Sequence, residues 1–334
     1  MNALVVPTNS SERLVEFLAS WSPWPWDRII VVQDAPEIDP FVAERLDAAE
    51  RERLELYSWA EIDELLPNPS IISRGDSAIR SFGFWRAWAT GAEIIFTLDD
   101  DCYPTDDDLV QMHRDNLYCT PAWGSSVEGL RVRGLPHRNL GVLRDVHLSM
   151  GLWRGTPDLD AVMTLAGSEP AAAAIAAAPT RVMPAAQYFP MSGMNLAFRR
   201  EITCLMYFAP MGNGQPFRRF DDIWCGIVLQ RIFRHLGYAI VCGRPLVDHR
   251  RASDAFVNLV KEAPGIAANE RLWETIDAVE LRADTPAACM TEMGAALVSC
   301  DDEYLARWGE SIQLWCALFG SVTDPLGRDA AAAT

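Results

Sequence analysis

The sequence lacks the patterns that mark several common classes of protein. Its 8 cysteines are scattered singly and form no C-x-x-C pair, which argues against a zinc ribbon or a thioredoxin-type redox site. No apolar run approaches the roughly 18 to 20 residues that a membrane-spanning helix needs. Residues 1–8 do not combine a basic stretch with an apolar one, so no signal peptide is predicted. We therefore expect a cytoplasmic protein whose thiols are reduced.

Positive charge is also scarce. The chain has 29 basic against 46 acidic residues, a formal net charge of -17. Such a surface repels nucleic acid and anionic membranes, so neither is expected as a partner. A phosphorylated substrate would need a local correction, either a metal ion or a few well-placed arginines.

The composition is otherwise that of a globular protein with a full core. Of the 334 residues, 49% are hydrophobic and 22% are charged. This length allows one large α/β domain with an appendage, or two modest domains.

Short apolar runs alternate with helical patterns along the first third of the chain. Strands are predicted at residues 3–8, 29–34, 54–59 and 94–98, and a last strand at 238–242. Near-continuous apolar strands that alternate with helices predict an α/β fold with a mostly parallel sheet covered on both faces. In such sheets ligands bind at the carboxyl ends of the strands.

The second half of the chain predicts more helix. A helix is predicted at 223–233, and residues 267–318 show a helical pattern without a strand signal. We expect an α/β domain over residues 1–262, a helical appendage over 263–325 and a disordered tail over 326–334.

Three consecutive carboxylates follow the predicted strand at 94–98 and mark the strongest candidate site. Asp99, Asp100 and Asp101 would raise one another's pKa unless a cation lay among them. Hard oxygen ligands select Mg²⁺ or Mn²⁺, which commonly bridge to substrate phosphates. Alternation along a strand places Asp99 and Asp101 on one side and Asp100 on the other. The competing interpretation is a solvated acidic loop that caps the following helix.

Other residues could complete this site. His249 follows the last predicted strand and could be a further metal ligand, with Asp248 orienting its ring. A lone histidine is nevertheless more often structural. Arg80, Arg133 and Arg138 are candidates for diphosphate contact, because guanidinium matches phosphate geometry bidentately.

An acidic pair, Asp221-Asp222, precedes the helix predicted at 223–233. It could be an ordinary pair of negative charges at a helix N-terminus. It could also supply a carboxylate to a sugar hydroxyl, and Asp222 is our candidate to orient or deprotonate such a hydroxyl. The 12 tryptophans could stack on a sugar or base, although most are expected to fill the core.

Several segments together, in conserved order, resemble the family of reversibly glycosylated polypeptides and UDP-arabinopyranose mutases. The resemblance covers roughly residues 4–262. Its segments are 98–104 (LDDDCYP), 190–198 (PMSGMNLAF), 220–226 (FDDIWCG), 235–238 (HLGY) and 249–259 (HRRASDAFVNL), with weaker matches at 5–8 and 80–84. Each motif is modest by itself, but jointly they are specific.

The resemblance implies a glycosyltransferase-A-like fold and a pyranose–furanose interconversion that depends on Mn²⁺ or Mg²⁺ and uses no flavin. The sequence agrees on flavin, because no G-x-G-x-x-G follows the first strand. The resemblance assigns the metal to Asp99, Asp101 and His249. It also matches Arg133 to the arginine that the family glycosylates or requires for catalysis.

One departure from the family pattern concerns this arginine. Plant members have a second arginine at a fixed distance, where this chain has Leu140. Arg138 could compensate. The missing second arginine weakens the expectation of self-glycosylation more than the expectation of mutase activity.

The remaining site predictions follow the same segments. Catalytic roles are predicted for Arg133, Asp222 and Arg138. Substrate contacts are predicted for Thr8, Asp34, Arg80, Asp100, Ser192, Gly193, Asn195 and Trp224.

The substrate and the reaction keep alternatives open. Departures from the plant members favour GDP-L-fucopyranose, as in bacterial relatives, with UDP-L-arabinopyranose as the alternative. A glycosyltransferase that passes the sugar to an acceptor would use the same fold and metal. A non-catalytic class, a nucleotide-sugar-binding or self-glycosylated subunit, also remains, and a homo-oligomer is possible.

Overall fold

A computed structural model describes residues 1–45, 52–118, 145–167, 173–175, 177–250 and 254–320. Arg133, Arg138 and Leu140 lie outside the described residues, as does the predicted tail over 326–334. None of the described helices is long and apolar enough to cross a membrane.

One mixed sheet forms the centre of the molecule. Its strands are Asn2–Thr8 (β1), Arg28–Gln33 (β2), Leu54–Tyr57 (β3), Ile94–Leu98 (β4), Cys102–Tyr103 (β5), Asp145–Gly155 (β6), Arg181–Val182 (β7), Asn195–Arg199 (β8) and Tyr238–His249 (β9). They are ordered β3-β2-β1-β4-β8-β6-β9-β5, and β7 pairs with β9.

Helices cover both faces of this sheet. They are Ser11–Trp21 (α1), Pro40–Arg45 (α2), Trp59–Leu65 (α3), Arg80–Ala89 (α4), Leu109–Leu117 (α5), Ala161–Ala166 (α6), Asp221–Leu236 (α7), Ala255–Asp277 (α8), Pro286–Val298 (α9) and Glu303–Gly320 (α10). In β1, Ala3 and Val5 belong to one buried cluster while Leu4 and Val6 belong to another. Alternate side chains therefore fill a core on each side, which explains the uninterrupted apolar run.

The prediction of an α/β fold is confirmed, with a difference in strand direction. The strands β3, β2, β1 and β4 are parallel to one another, as predicted. The next strand, β8, runs antiparallel to both β4 and β6. Only half of the pairings among the described strands are therefore parallel. The apolar runs do not predict β6, because His147, Ser149 and Gly151 interrupt its apolar pattern.

The C-terminal helices pack into the same core as the sheet. The helix α8 crosses the predicted boundary between residues 262 and 263 without a break. Trp315 Nε1 donates to the carbonyl oxygen of Cys204 at 2.9 Å, and Tyr304 Oη donates to that of Pro210 at 3.0 Å. The rings of Tyr207 and Trp315 stack with centroids 5.2 Å apart. These buried contacts make α9 and α10 part of one cluster with the residues that follow β8.

Candidate active site

The three aspartates that follow β4 contact different partners. Asp100 is 6% exposed, and its carboxylate accepts hydrogen bonds from Thr8 Oγ1 at 2.6 Å and Arg13 Nε at 3.0 Å. Burial raises the pKa of Asp100 above its usual value, even though the bonds from Arg13 and Thr8 oppose this shift. Asp99 contacts Arg80, and Asp101 contacts His249. Because β4 ends at Leu98 and Asp100 and Asp101 lie in a turn, the alternation predicted for a strand does not extend to these residues. Asp100 therefore fastens the end of β4 to β1 and α1.

Arg80 forms an ion pair with Asp99 at the end of β4. Its side chain is 2% exposed, and Nη2 pairs with the Asp99 carboxylate. Nη1 donates to the carbonyl oxygen of Gly193 at 2.5 Å and to Thr97 Oγ1 at 3.1 Å, while Nε donates to the Ser77 carbonyl oxygen at 3.2 Å. Every nitrogen of the guanidinium thus has a protein partner, which disfavours the predicted diphosphate contact. Arg80 positions Asp99 and the carbonyl group of Gly193 instead.

Asp99, Asp101 and His249 lie at the ends of β4 and β9, and we call them the strand-end group. Within this group Asp101 and His249 face one another. His249 Nε2 lies 3.7 Å from Asp101 Oδ1, and Nδ1 lies 2.6 Å from the carbonyl oxygen of Thr156. Because a carbonyl only accepts, Nδ1 carries the proton and Nε2 faces the carboxylate. Burial lowers the pKa of His249, but the hydrogen bond and charge of Asp101 outweigh it and raise the pKa overall. Thr156 orients the ring, not Asp248, whose carboxylate accepts from Arg250 Nε at 2.9 Å.

This pair fits a divalent cation in part. A carboxylate and an imidazole nitrogen that face one another are suitable donors for Mn²⁺, and the Thr156 carbonyl supplies the usual outer support for a metal-bound histidine. The described residues contain no group of three or more His, Cys, Asp or Glu that could hold a metal ion. Asp101 and His249 would therefore share such an ion with substrate oxygens, as Mg²⁺ and Mn²⁺ sites commonly do. Asp99, held by Arg80, would have to release that contact to join them.

A second acidic group lies where α7 begins. The Asp222 carboxylate accepts from the Gly193 N–H at 2.8 Å, and the Asp221 carboxylate accepts from Ser77 Oγ at 2.8 Å. Burial, followed by the charge of Asp221, raises the pKa of Asp222 well above its usual range. The pKa of Asp76 is raised well above its usual range for the same two reasons. Partly buried acids of this kind are candidates for proton transfer.

Asp158 is a site residue that sequence reasoning missed. Its carboxylate accepts from Ser192 Oγ at 2.9 Å. Burial is the main cause of its raised pKa, and the charge of Asp99 adds to the shift. Asp158 thus lies between the β4 aspartates and the segment before β8. The weak pattern of residues 151–190 concealed it, and the available signal was a polar turn, Gly155-Thr156-Pro157-Asp158, at the end of a strand.

Two predicted substrate residues lie inside the fold. Asn195 is 1% exposed and donates through Nδ2 to the carbonyl oxygens of Leu152 at 3.0 Å and Pro245 at 3.1 Å. Trp224 is also 1% exposed, and its Nε1 donates to Asn269 Oδ1 at 3.0 Å. Asn195 therefore links β8 to β6 and β9, and Trp224 fills the core beside α7. Both residues support the site instead of contacting the substrate.

Asp34 lies at the end of β2 beside an open cleft. Its carboxylate accepts from Trp59 Nε1 at 2.8 Å and from the Gly75 N–H at 3.0 Å. The cleft has a volume of about 430 Å³, and the residues that line it include Trp59, Asp63, Arg74, Met211, Asn213 and Gln215. The guanidinium of Arg74 lies 5.2 Å from the centre of the Trp59 ring. Asp34 thus orders one wall of a cleft at the carboxyl edge of the sheet.

The comparison with protein families decides the classification of the chain. The profile of the family described as reversibly glycosylated polypeptide matches residues 3–324. The chain belongs to this family. The match extends through α10, well beyond the resemblance predicted over residues 4–262, which agrees with the shared core of the sheet and the C-terminal helices.

Several curated members of the family match over nearly their whole length. UDP-arabinopyranose mutase 1 of Arabidopsis thaliana is 34% identical, with 96% of this chain and 93% of that protein covered. UDP-arabinopyranose mutase 2 of the same plant is 33% identical, with 96% and 92% covered. UDP-arabinopyranose mutase 1 of Oryza sativa is 33% identical, with 93% and 88% covered.

Similarity to solved structures is more distant. A 4-diphosphocytidyl-2C-methyl-D-erythritol synthase from Anaerococcus prevotii aligns with a TM-score of 0.37 at 11% identity. The alignment covers 73% of this chain and 87% of that one.

Proposed function

We propose that this protein is an isomerase, a nucleotide-sugar pyranose–furanose mutase, and that its substrate is UDP-L-arabinopyranose. The observation that carries the proposal is the full-length similarity to the Arabidopsis UDP-arabinopyranose mutases, at up to 34% identity. The expectation of GDP-L-fucopyranose has no support from these relatives, so the UDP-linked alternative now takes precedence.

The geometry of the strand-end group supports this proposal. Carboxylates follow β4, a histidine ends β9, and Asp222 lies at the start of α7, all at the carboxyl edge of the sheet where α/β proteins bind ligands. Asp101 and His249 would hold a divalent cation, which when bound would neutralise charge that develops on the diphosphate.

The proposed reaction exchanges one carbon–oxygen bond of the sugar for another. The bond between the anomeric carbon and the diphosphate breaks, and its electron pair leaves with UDP. The hydroxyl oxygen that closes the five-membered ring bonds to the anomeric carbon and loses its proton. When the diphosphate re-attacks, the original ring oxygen leaves the anomeric carbon and takes up a proton. Atoms and charge therefore balance without any outside reactant.

Asp222 is the residue that we assign to this proton transfer. Its carboxyl is partly buried, and burial with the charge of Asp221 raises its pKa well above the usual range. A raised pKa means that the carboxylate takes up a proton more readily. The group can therefore accept a proton from one hydroxyl and return it to the other. The N–H of Gly193 holds the carboxylate in place at 2.8 Å. Water must stay out while the diphosphate is detached, because water would hydrolyse the sugar cation.

The test is to incubate the purified protein and Mn²⁺ with UDP-L-arabinopyranose, without an acceptor, and to follow the anomeric protons by NMR. A parallel sample receives GDP-L-fucopyranose, and an Asp101→Asn variant is the control. New furanose signals from the UDP-sugar, absent in the variant, are expected. Furanose from the GDP-sugar alone would overturn the substrate assignment, and free sugar or no change in both would favour a transferase or a binding subunit.

A further inference from the structure

Arg219 has a backbone conformation that ordinary residues avoid. Its φ is 66°, which makes it the one non-glycine residue with a positive φ among those the structure describes. The left-handed region is unfavourable for a residue with a side chain, and such strain persists where the surroundings enforce it. Arg219 lies two residues before Asp221 and three before Asp222. The strained residue therefore lies next to Asp221 and Asp222, at the N-terminus of α7.

One face of α8 enforces this conformation. Glu262 Oε1 accepts from Arg219 Nε at 2.8 Å. One turn further along, a Cβ added at Gly265 would come within 2.6 Å of the Phe220 ring, so the helix and residue 220 are in close contact. Two turns further, Asn269 Oδ1 accepts from Trp224 Nε1 at 3.0 Å. Helical spacing places all three on one face, which clamps the segment from Arg219 to Trp224.

Glu262 also connects this segment to the Asp158 loop. It is 4% exposed, and its Oε2 accepts from the Ala161 N–H at 2.9 Å. Ala161 is the first residue of α6, so this N–H has no partner within the helix. A buried carboxylate is costly unless it is paired, and Arg219 is the cation that pairs with Glu262. One side chain therefore fixes both Arg219 and the loop that carries Asp158.

The guanidinium of Arg219 keeps donors available. Only Nε has a hydrogen-bond partner among the described residues, and the side chain is 34% exposed. The charge of Arg219 reaches Asp158, whose pKa it lowers in opposition to the larger effect of burial. Arg80 differs, since every nitrogen of its guanidinium is already bonded within the protein. An acidic site that must accept a diphosphate needs a cation with free donors, and Arg219 provides one.

We propose that Arg219 is a substrate-binding residue that contacts the diphosphate of the nucleotide-sugar, and that Glu262 is its positioning residue. The proposal rests on the proposed function for the identity of the ligand. Nε holds the side chain to α8, while the two terminal nitrogens match a pair of phosphate oxygens.

The test compares the binding of UDP and UMP by calorimetry in the presence of Mn²⁺. Arg219→Gly removes the guanidinium and accepts the positive φ without strain. We expect its UDP affinity to fall about 10- to 100-fold, the loss expected for a charge-assisted contact, and its preference for UDP over UMP to shrink. Arg282→Gly, at a side chain that is 82% exposed, is the matched control and should bind as the wild type does.

A double variant keeps the test valid if the single variant unfolds. Arg219→Gly leaves Glu262 buried without its cation, and Arg219→Gly with Glu262→Gln removes that charge. Glu262→Gln alone should raise KM several-fold with kcat held, and should add nothing to the loss of UDP affinity in the double variant. A merely structural role for Glu262 would add its own loss.

The outcomes separate this inference from the proposed function. Wild-type protein that binds UDP and is matched within twofold by folded Arg219→Gly would overturn the role of Arg219 alone. A wild type that converts the sugar normally would leave the proposed function standing in that case. Wild-type protein that binds no UDP in the presence of Mn²⁺ would overturn both.

Discussion

Mild acid should destabilise the fold around β8, the strand that follows the Ser192-Gly193 segment, because a buried histidine must then accept a charge. His113 on α5 is 0% exposed. Its Nε2 lies 3.0 Å from Asn195 Oδ1 and its Nδ1 lies 2.8 Å from Ser149 Oγ. The amide nitrogen of Asn195 donates to two carbonyls, so Oδ1 is the acceptor and Nε2 carries the proton of the neutral ring.

The magnitude follows from the difference in pKa between the folded and unfolded states. Burial lowers the pKa of His113 from 6.5 to about 4, because a charged ring would lose its hydration there. The unfolded chain then binds more protons between these values, so stability is present above the unfolded pKa and is lost as the pH falls towards the folded pKa. Between pH 7 and pH 5 the loss amounts to about 2 kcal/mol, at about 1.4 kcal/mol for each unit of difference.

The assay is urea denaturation followed by tryptophan fluorescence, at pH 7 and pH 5, of the wild type and of His113→Gln. Glutamine can donate to Asn195 Oδ1 and carries no charge at either pH. Other titrating groups affect both proteins alike, so the change in their stability difference isolates His113. We expect the advantage of the wild type to shrink by about 2 kcal/mol at pH 5. An unchanged difference would refute the reasoning that the ring is held neutral.

Three further predictions concern the site and its supports. Asp101→Asn should lower turnover on the order of 100-fold or more, with an unchanged melting temperature, because it removes the negative charge of one of the two groups that would hold the cation. Weaker Mn²⁺ binding by titration is the direct check, and full activity would contradict the prediction. Gly226→Ala should lower the free energy of unfolding in urea by about 1 to 3 kcal/mol, because its added Cβ would come within 2.6 Å of Met191 Cβ. Gly237→Ala, where the added Cβ contacts nothing but φ is 77°, is the control that shows the effect of backbone strain alone. Trp308→Ala, at a side chain 1% exposed on α10, should cost about 3 to 5 kcal/mol in a single transition, and a separate early transition would show that the C-terminal helices fold alone.

The sequence predicted the strands that are apolar on both faces and the acidic group that follows them. The strand predicted at 94–98 matches β4, Ile94–Leu98, and the strand predicted at 29–34 matches β2 within one residue at each end. These strands can be predicted because both of their faces are buried, so nearly all of their central positions are apolar. The alternation predicted for Asp99, Asp100 and Asp101 does not follow from this geometry, because β4 ends at Leu98 and Asp100 and Asp101 lie in the turn after it.

Other parts of the site depend on contacts that no local pattern records. The partner of Asp99 is Arg80, 19 positions earlier in the chain, and the partner of Arg219 is Glu262, 43 positions later. Pairs this far apart meet only when the sheet and α8 have folded. For the same reason the predicted boundary at 262 cut through α8, since helical periodicity does not show which core a helix joins.

The distribution of charge around α7 explains how so acidic a site can be built for an anionic ligand. Burial raises the pKa values of Asp76, Asp158, Asp221 and Asp222, so in the folded protein these groups favour their neutral form more than they do when unfolded. The site therefore carries less negative charge than its carboxyl groups suggest. The sign of the linkage shows the cost, because stability that is present below the unfolded pKa is lost as the pH rises through the raised folded values. Keeping these carboxyls together near neutral pH therefore costs stability at the edge of the sheet where we propose that the ligand binds, and such a cost is expected where function selects the residues.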